Sequence, residues 1–150
     1  MSLQQDVMTA MKAAMKDKNQ TALTALRAVK SAILLAQTEN GASGDLTEEN
    51  ELKMLQKLVK QRKDSAAIYL EQGREDLAQP ELDEAEVISQ FLPEALSEEE
   101  IEKVVVAAID NSGADGMKDM GKVMGIVSKE LAGKADGKTI SSIVKAKLAE

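Results

Sequence analysis

Lys118, Lys122 and Lys129 are spaced so that an α-helix would gather them, with Gly121 and Gly125, into one sector of about 100°. The chemistry this suggests is noncovalent. Ammonium groups beside a surface without side chains let a phosphodiester backbone come right up to the peptide groups. Lys134 and Lys138 follow and prolong the charge. Between Asp115 and Lys147, seven lysines against four acids leave +3 in a chain whose net charge is −7. Each helical glycine costs about 1 kcal/mol relative to alanine, so two of them one turn apart call for an explanation. The competing explanation is internal: small residues four apart let two helices of one domain pack closely, and lysines beside them form a solvated face. Position relative to the Met stripe weighs against the internal explanation without closing it. Met117, Met120, Met124, Val127 and Leu131 fall within about 80° on roughly the opposite side, where a core would lie.

Other cations raise a different question. Arg62 falls inside the apolar sector marked by Leu52, Leu55, Val59, Ala66 and Leu70, with Lys63 at its margin. Arg27 and Lys30 stand likewise beside Leu23, Leu26, Val29, Ile33 and Leu34. Long cations directed at a helix interface need counter-charges. One reading is internal ion pairs with Glu84 or Glu86, or snorkelling of the heads to the rim. The other is an anion pocket formed by Arg27, Lys30, Arg62 and Lys63. Catalysis has less to draw on. Histidine and cysteine are both absent, which removes the usual general base, the thiolate and the commonest metal ligands. No metal, cofactor or catalytic residue is assigned. An enzyme would have to use Tyr69 and Asp64 with the Arg62 and Lys63 cations.

The elements that must position these residues are helices. Aromatic residues make up only 1% of the chain, so a core must be built from Leu, Ile, Val, Met and Ala, which are mostly good helix formers. An all-α protein follows. Leu3, Val7, Met11 and Ala14 mark a first helix, ending at Lys16 to Asn19, and a second runs from near Asn19 to about Gln37. Asn40 to Asp45 reads as a mobile loop by its turn chemistry. Thr47 suits the N-cap of a third helix that Gly73 stops. Pro80 suits the first turn of a fourth, and Pro93 ends it. Ser97 with Glu100 has capping-box spacing before a fifth helix, closed by Gly113. The glycine-lysine helix then spans about Lys118 to Ala132, with Gly133 closing it, and Asp136 caps a last helix with Lys138, Lys145 and Lys147 exposed. This divides the chain into an N-terminal bundle of about four helices, residues 1–93, and a three-helix tail, residues 97–150. Without cysteine, a leader or an apolar run of about 20 residues, the chain reads as cytoplasmic and without a membrane partner. Its acidic balance opposes indiscriminate adhesion to nucleic acid, so any such role needs a local basic face, and no DNA partner is expected.

The run Asp119-Met120-Gly121-Lys122-Val123-Met124, the segment Gly133-Lys134-Ala135-Asp136-Gly137-Lys138 and the closing Ile143-Val144-Lys145-Ala146-Lys147-Leu148 resemble the tail domain of GatB, a component of the bacterial glutamyl/aspartyl-tRNA amidotransferase. Leu26 to Ile33, Lys60 to Ser65 and Phe91-Leu92-Pro93-Glu94 resemble the YqeY proteins, free-standing relatives that share that tail. The likeness covers nearly the whole length. It implies an N-terminal helical bundle joined to a three-helix tail, and tRNA as the partner the tail would grip. It also carries a carbon-nitrogen ligase label with glutamine as amido donor, yet neither an amidase serine-lysine arrangement nor a usual ATP-binding glycine loop is visible. Three functions are thus weighed: an RNA-binding module acting through Lys118, Gly121, Lys122, Gly125, Lys129, Lys134 and Lys138; an adaptor docking on an aminoacyl-tRNA synthetase or amidotransferase through Met8, Met11 and Met15; and an enzyme.

Overall fold

The computed structural model describes residues 2–39 and 46–149, and the Asn40 to Asp45 loop lies outside the described residues. Seven α-helices carry the fold, with no strand among the described residues, as an all-α chain of this composition should. They are α1 (Leu3–Lys16), α2 (Gln20–Glu39), α3 (Glu48–Glu71), α4 (Glu75–Ser89), α5 (Glu98–Ser112), α6 (Met120–Glu130) and α7 (Gly137–Leu148). Two compact units result, Met1–Leu92 and Pro93–Glu150.

In the first unit α3 packs chiefly on α4, while α2 packs on α1 and α4 and touches α3 little. Its core gathers Val7, Leu26, Val29, Ile33, Leu55 and Ile88, all nearly fully buried. Local chemistry sets the helix ends. The Asn19 side chain accepts from the Ala22 N–H at 3.0 Å and starts α2. The Thr47 hydroxyl accepts from the Asn50 N–H at 3.2 Å and starts α3. Beyond the end of α3, Gly73 sits at φ +71°, a left-handed conformation that any side chain would strain.

Pro80 does not open α4. The helix begins five residues earlier at Glu75, and Pro80 lies inside it. Its missing N–H leaves the Asp76 carbonyl without its helical partner, which is tolerable because both residues are exposed to water. Leu34 and Leu70, assigned to apolar stripes by spacing, are 49% and 50% exposed because no neighbouring helix covers those flanks.

The second unit is a three-helix arrangement in which every pair among α5, α6 and α7 is in contact. Ile101, Val105, Val123, Val127, Ile140 and Val144 form its core. Ser97 and Glu100 make the reciprocal capping box of α5, and the Asp136 carboxylate accepts from the Thr139 N–H at 2.7 Å to cap α7. Between α5 and α6 the chain turns through Gly113 at φ +67° and Gly116 at φ +79°. Residues Met117–Asp119 then form a 3-10 turn, so the expected single helix from Lys118 is shorter. Met117 falls on this turn and is 44% exposed, outside the stripe assigned to it. The buried line is Val123, Val127 and Leu131, flanked by half-buried Met120 and Met124.

Candidate nucleic-acid interface

Helix α6 owes its orientation to Val123 and Val127, which are both 0% exposed and hold one side against α5 and α7. At 100° per residue, Gly121 and Gly125 lie about 160° from Val123, one on either side of the direction opposite the core. Both glycines are exposed. A Cβ built on either would meet nothing within 4 Å, so no neighbouring helix of the described chain takes advantage of their smallness. The internal-packing explanation therefore has no contact to rest on in this unit.

The lysines divide. Lys118, on the 3-10 turn, and Lys129, on the last turn of α6, are exposed, and neither has a carboxylate within 4.0 Å among the described residues. Lys122 is exposed as well, but its Nζ donates to the Ser112 carbonyl at 3.0 Å. That carbonyl belongs to the last turn of α5, where the helix has run out of N–H partners, so the ammonium group closes α5 as well as charging the face. Lys134 is exposed, and its backbone carbonyl accepts from the Leu96 N–H at 3.0 Å, tying the start of the unit to the loop before α7. Lys138 lines a cleft of about 490 Å³ between α5 and α7, to which α6 contributes no residue. Of the seven proposed contacts, Gly121, Lys122, Gly125 and Lys129 share α6, Lys118 lies on its leading 3-10 turn, and Lys134 and Lys138 are set on other elements. Lys147, expected to be exposed, is half-buried and paired with Glu102 at 2.6 Å.

Sequence spacing overlooked Ile126. It is 40% exposed and, on the helical wheel, about 40° from Lys122, giving the charged flank an apolar member. Its only signal was a wheel position off the stripe.

The cations of the first unit are dispersed. Arg27, Lys30 and Lys63 are exposed rather than turned into an interface, because α2 and α3 barely meet. Arg62 alone of the four is half-buried. Its Nη1 donates to the Leu58 carbonyl of its own helix at 3.1 Å, and its Nε is buried without a hydrogen-bond partner among the described residues. The charge it faces is Glu84. Burial holds the Glu84 carboxyl above its ordinary range, with Arg62 pulling it down and Glu81 pushing it up. Asp64 lies about 160° around α3 from Arg62, and Lys60 holds it at 2.7 Å, so the acid-base set imagined around Tyr69 is split across the helix.

The family model described as Yqey-like protein matches residues 4–148. The chain is 34% identical, over 125 residues, to the protein of Clavispora lusitaniae named altered inheritance of mitochondria protein 41, mitochondrial, covering 81% of this chain and 72% of that one. The protein of the same name in Pyrenophora tritici-repentis is 29% identical over 127 residues, 83% of this chain and 68% of the other. A third similarity, 36% over 75 residues, is to a glutamyl-tRNA(Gln) amidotransferase component of Thermococcus gammatolerans, covering 47% of this chain but only 12% of that protein. The two fungal names overturn the expectation of a cytoplasmic protein, since both relatives are designated mitochondrial. Lack of cysteine removes disulfides wherever a chain resides, so it was no guide to the compartment. No described helix is long and apolar enough to cross a membrane. With the family model spanning residues 4–148 and a relative at 34% identity matched over most of its own length, the chain belongs to the YqeY-like protein family.

Proposed function

We propose that the second unit is an RNA-contacting module, with tRNA as its ligand, that works through the outer face of α6. The observation carrying this reading is the pair Gly121 and Gly125, exposed, opposite the buried valines and with open space above both. Two helical glycines weaken an 11-residue helix by roughly 1–2 kcal/mol, and the unit's own packing does not call for them. A ligand whose backbone must reach the helix surface does. Lys118 and Lys129 supply charge for phosphates, Lys122 adds to it from its place beside Ser112, and Lys134 and Lys138 extend the reach. Base stacking plays no part, because the unit contains no aromatic residue, so the recognition is of shape and backbone. The similarity to a component of a tRNA-dependent amidotransferase supports tRNA over other RNAs.

Fluorescence anisotropy with labelled bulk tRNA and the full-length chain tests this. Wild type should bind, and Lys118→Glu with Lys129→Glu should weaken binding at least about tenfold while circular dichroism stays unchanged. Equal binding by the double variant would remove α6 as the contact face. Lys122 is left out of this variant because its bond to Ser112 would confuse a loss of contact with a loss of fold.

A further inference from the structure

The first unit carries a groove that the RNA reading does not use. It lies between α1 and α2, holds about 500 Å³, and is lined by Val7, Met8, Lys12, Lys30 and Ile33 together with polar residues from the start of α1. Val7 and Ile33 are core residues and form its floor, while Met8 is 43% exposed along its wall. Lys12 and Lys30 come from different helices to the same groove. Both are exposed, and neither has a carboxylate within 4.0 Å among the described residues. Leu34, one turn after Lys30 on the same flank of α2, is 49% exposed.

The other side of α1 is opposite in sign. A larger cleft there, about 910 Å³, is lined by Asp6, Glu48 and Glu51, and burial followed by the neighbouring Glu48 pushes the Glu51 carboxyl up. Helix α1 therefore separates a cationic apolar groove from an acidic one, and a charged partner approaching this unit is sorted by sign before it makes contact.

We propose that the α1–α2 groove docks an acidic amphipathic helix of a partner protein. Leucine or isoleucine side chains of that helix cover Met8 and Leu34, and carboxylates one turn to either side reach Lys12 and Lys30. A flexible thioether on an apolar floor adapts to branched aliphatic side chains, and this is the helix-in-groove mode of recognition. An RNA backbone would satisfy the two lysines but would leave Met8, Leu34 and the groove floor against a hydrated, charged chain. The inference stands apart from the RNA reading of α6.

The test uses the full-length, isotopically labelled chain and two synthetic helix-forming peptides with the same leucine face, one flanked by glutamates and the other by lysines. The glutamate peptide should bind, with amide shifts confined to α1 and α2, and the lysine peptide should not. Lys12→Glu with Lys30→Glu should weaken the glutamate peptide at least about tenfold, and Met8→Ser should weaken it several-fold, with helicity and thermal midpoint unchanged. Lys118→Glu with Lys129→Glu should leave peptide binding as it was, so failure at α6 and failure at this groove are read separately. Absence of glutamate-peptide binding, equal binding of the two peptides, or no effect of the Lys12 and Lys30 substitutions overturns the proposal. So does a loss of tRNA binding in the Lys12 and Lys30 variant, which would assign the groove to nucleic acid. Self-association by sedimentation that the same variant abolishes would overturn it too, by assigning the groove to a second copy of the chain.

Discussion

Lys122 and Lys129 project within about 20° of each other from α6, yet their ammonium groups have different work. Lys122 donates to the Ser112 carbonyl at 3.0 Å, whereas Lys129 faces solvent. Lys122→Ala should therefore lower unfolding stability by about 0.5–1 kcal/mol in urea titrations, the usual net worth of one such bond. Lys129→Ala should stay within about 0.5 kcal/mol of wild type, as exposed substitutions do. Equal losses would mean that the bond to Ser112 contributes nothing. The glycines make a sharper case. With nothing within 4 Å of an added Cβ, Gly121→Ala and Gly125→Ala should each raise stability by roughly 0.5–1 kcal/mol, seen as a higher urea midpoint with an unchanged slope. Under the proposed function the same substitutions should reduce tRNA affinity. Higher stability with unaltered affinity would show that the bare surface is not needed for contact.

Helix ends were the most legible elements, because capping is decided within four or five residues. Thr47, Ser97 and Asp136 all cap the helices expected of them, and Gly73 and Gly113 adopt left-handed φ where helices stop. Ser97 is the one to test, since α5 opens the second unit with a complete box. Ser97→Ala should cost about 1 kcal/mol of that unit's stability by thermal or urea unfolding, and an unchanged midpoint would mean that the cap is dispensable. Reading the interior of an element was harder. Pro80 looked like a first-turn residue because proline favours that position, but Ala78 is buried and packs the earlier turn onto the rest of the unit. Met117 has the right spacing for the core stripe of α6, and the positive φ of Gly116 with the 3-10 turn behind it changes the register before the helix begins.

For the whole chain, pH and salt separate the two units. In the first, the Glu84 carboxyl is raised chiefly by burial, so the folded state holds its proton more tightly than the unfolded chain does. Its contribution to stability is therefore present in acid and is lost as pH rises through the folded pKa. Glu84→Gln should be more stable than wild type at about pH 7, and the difference should vanish below about pH 4, where unfolded glutamate is itself protonated. Urea midpoints of both proteins at the two pH values measure this, and a pH-independent difference would show that burial of the charge is not its source. The second unit is where salt should act. Under the proposed function, with about 3 to 5 phosphates neutralised, log affinity for tRNA should fall against log salt with a slope of about −2 to −4. A slope near zero would exclude the lysine face as the source of binding.

Residue types and their order were enough to establish that this chain is helical, where most helices stop, and the family to which it belongs. Composition, periodicity and caps act over a few residues, and the family pattern spans nearly the whole length. Which flanks stay uncovered was settled only by the packing of the helices. Arg27 and Arg62 have similar places on their helical wheels, yet one is exposed and the other half-buried, because α3 packs on α4 and leaves α2 nearly alone. In the same way Gly121 and Gly125 could have been a helix-packing surface until the directions of α5 and α7 left their side of α6 open. A helical wheel ranks the sides of one helix against each other, but exposure depends on where the next helix runs, and residues distant in the chain set that.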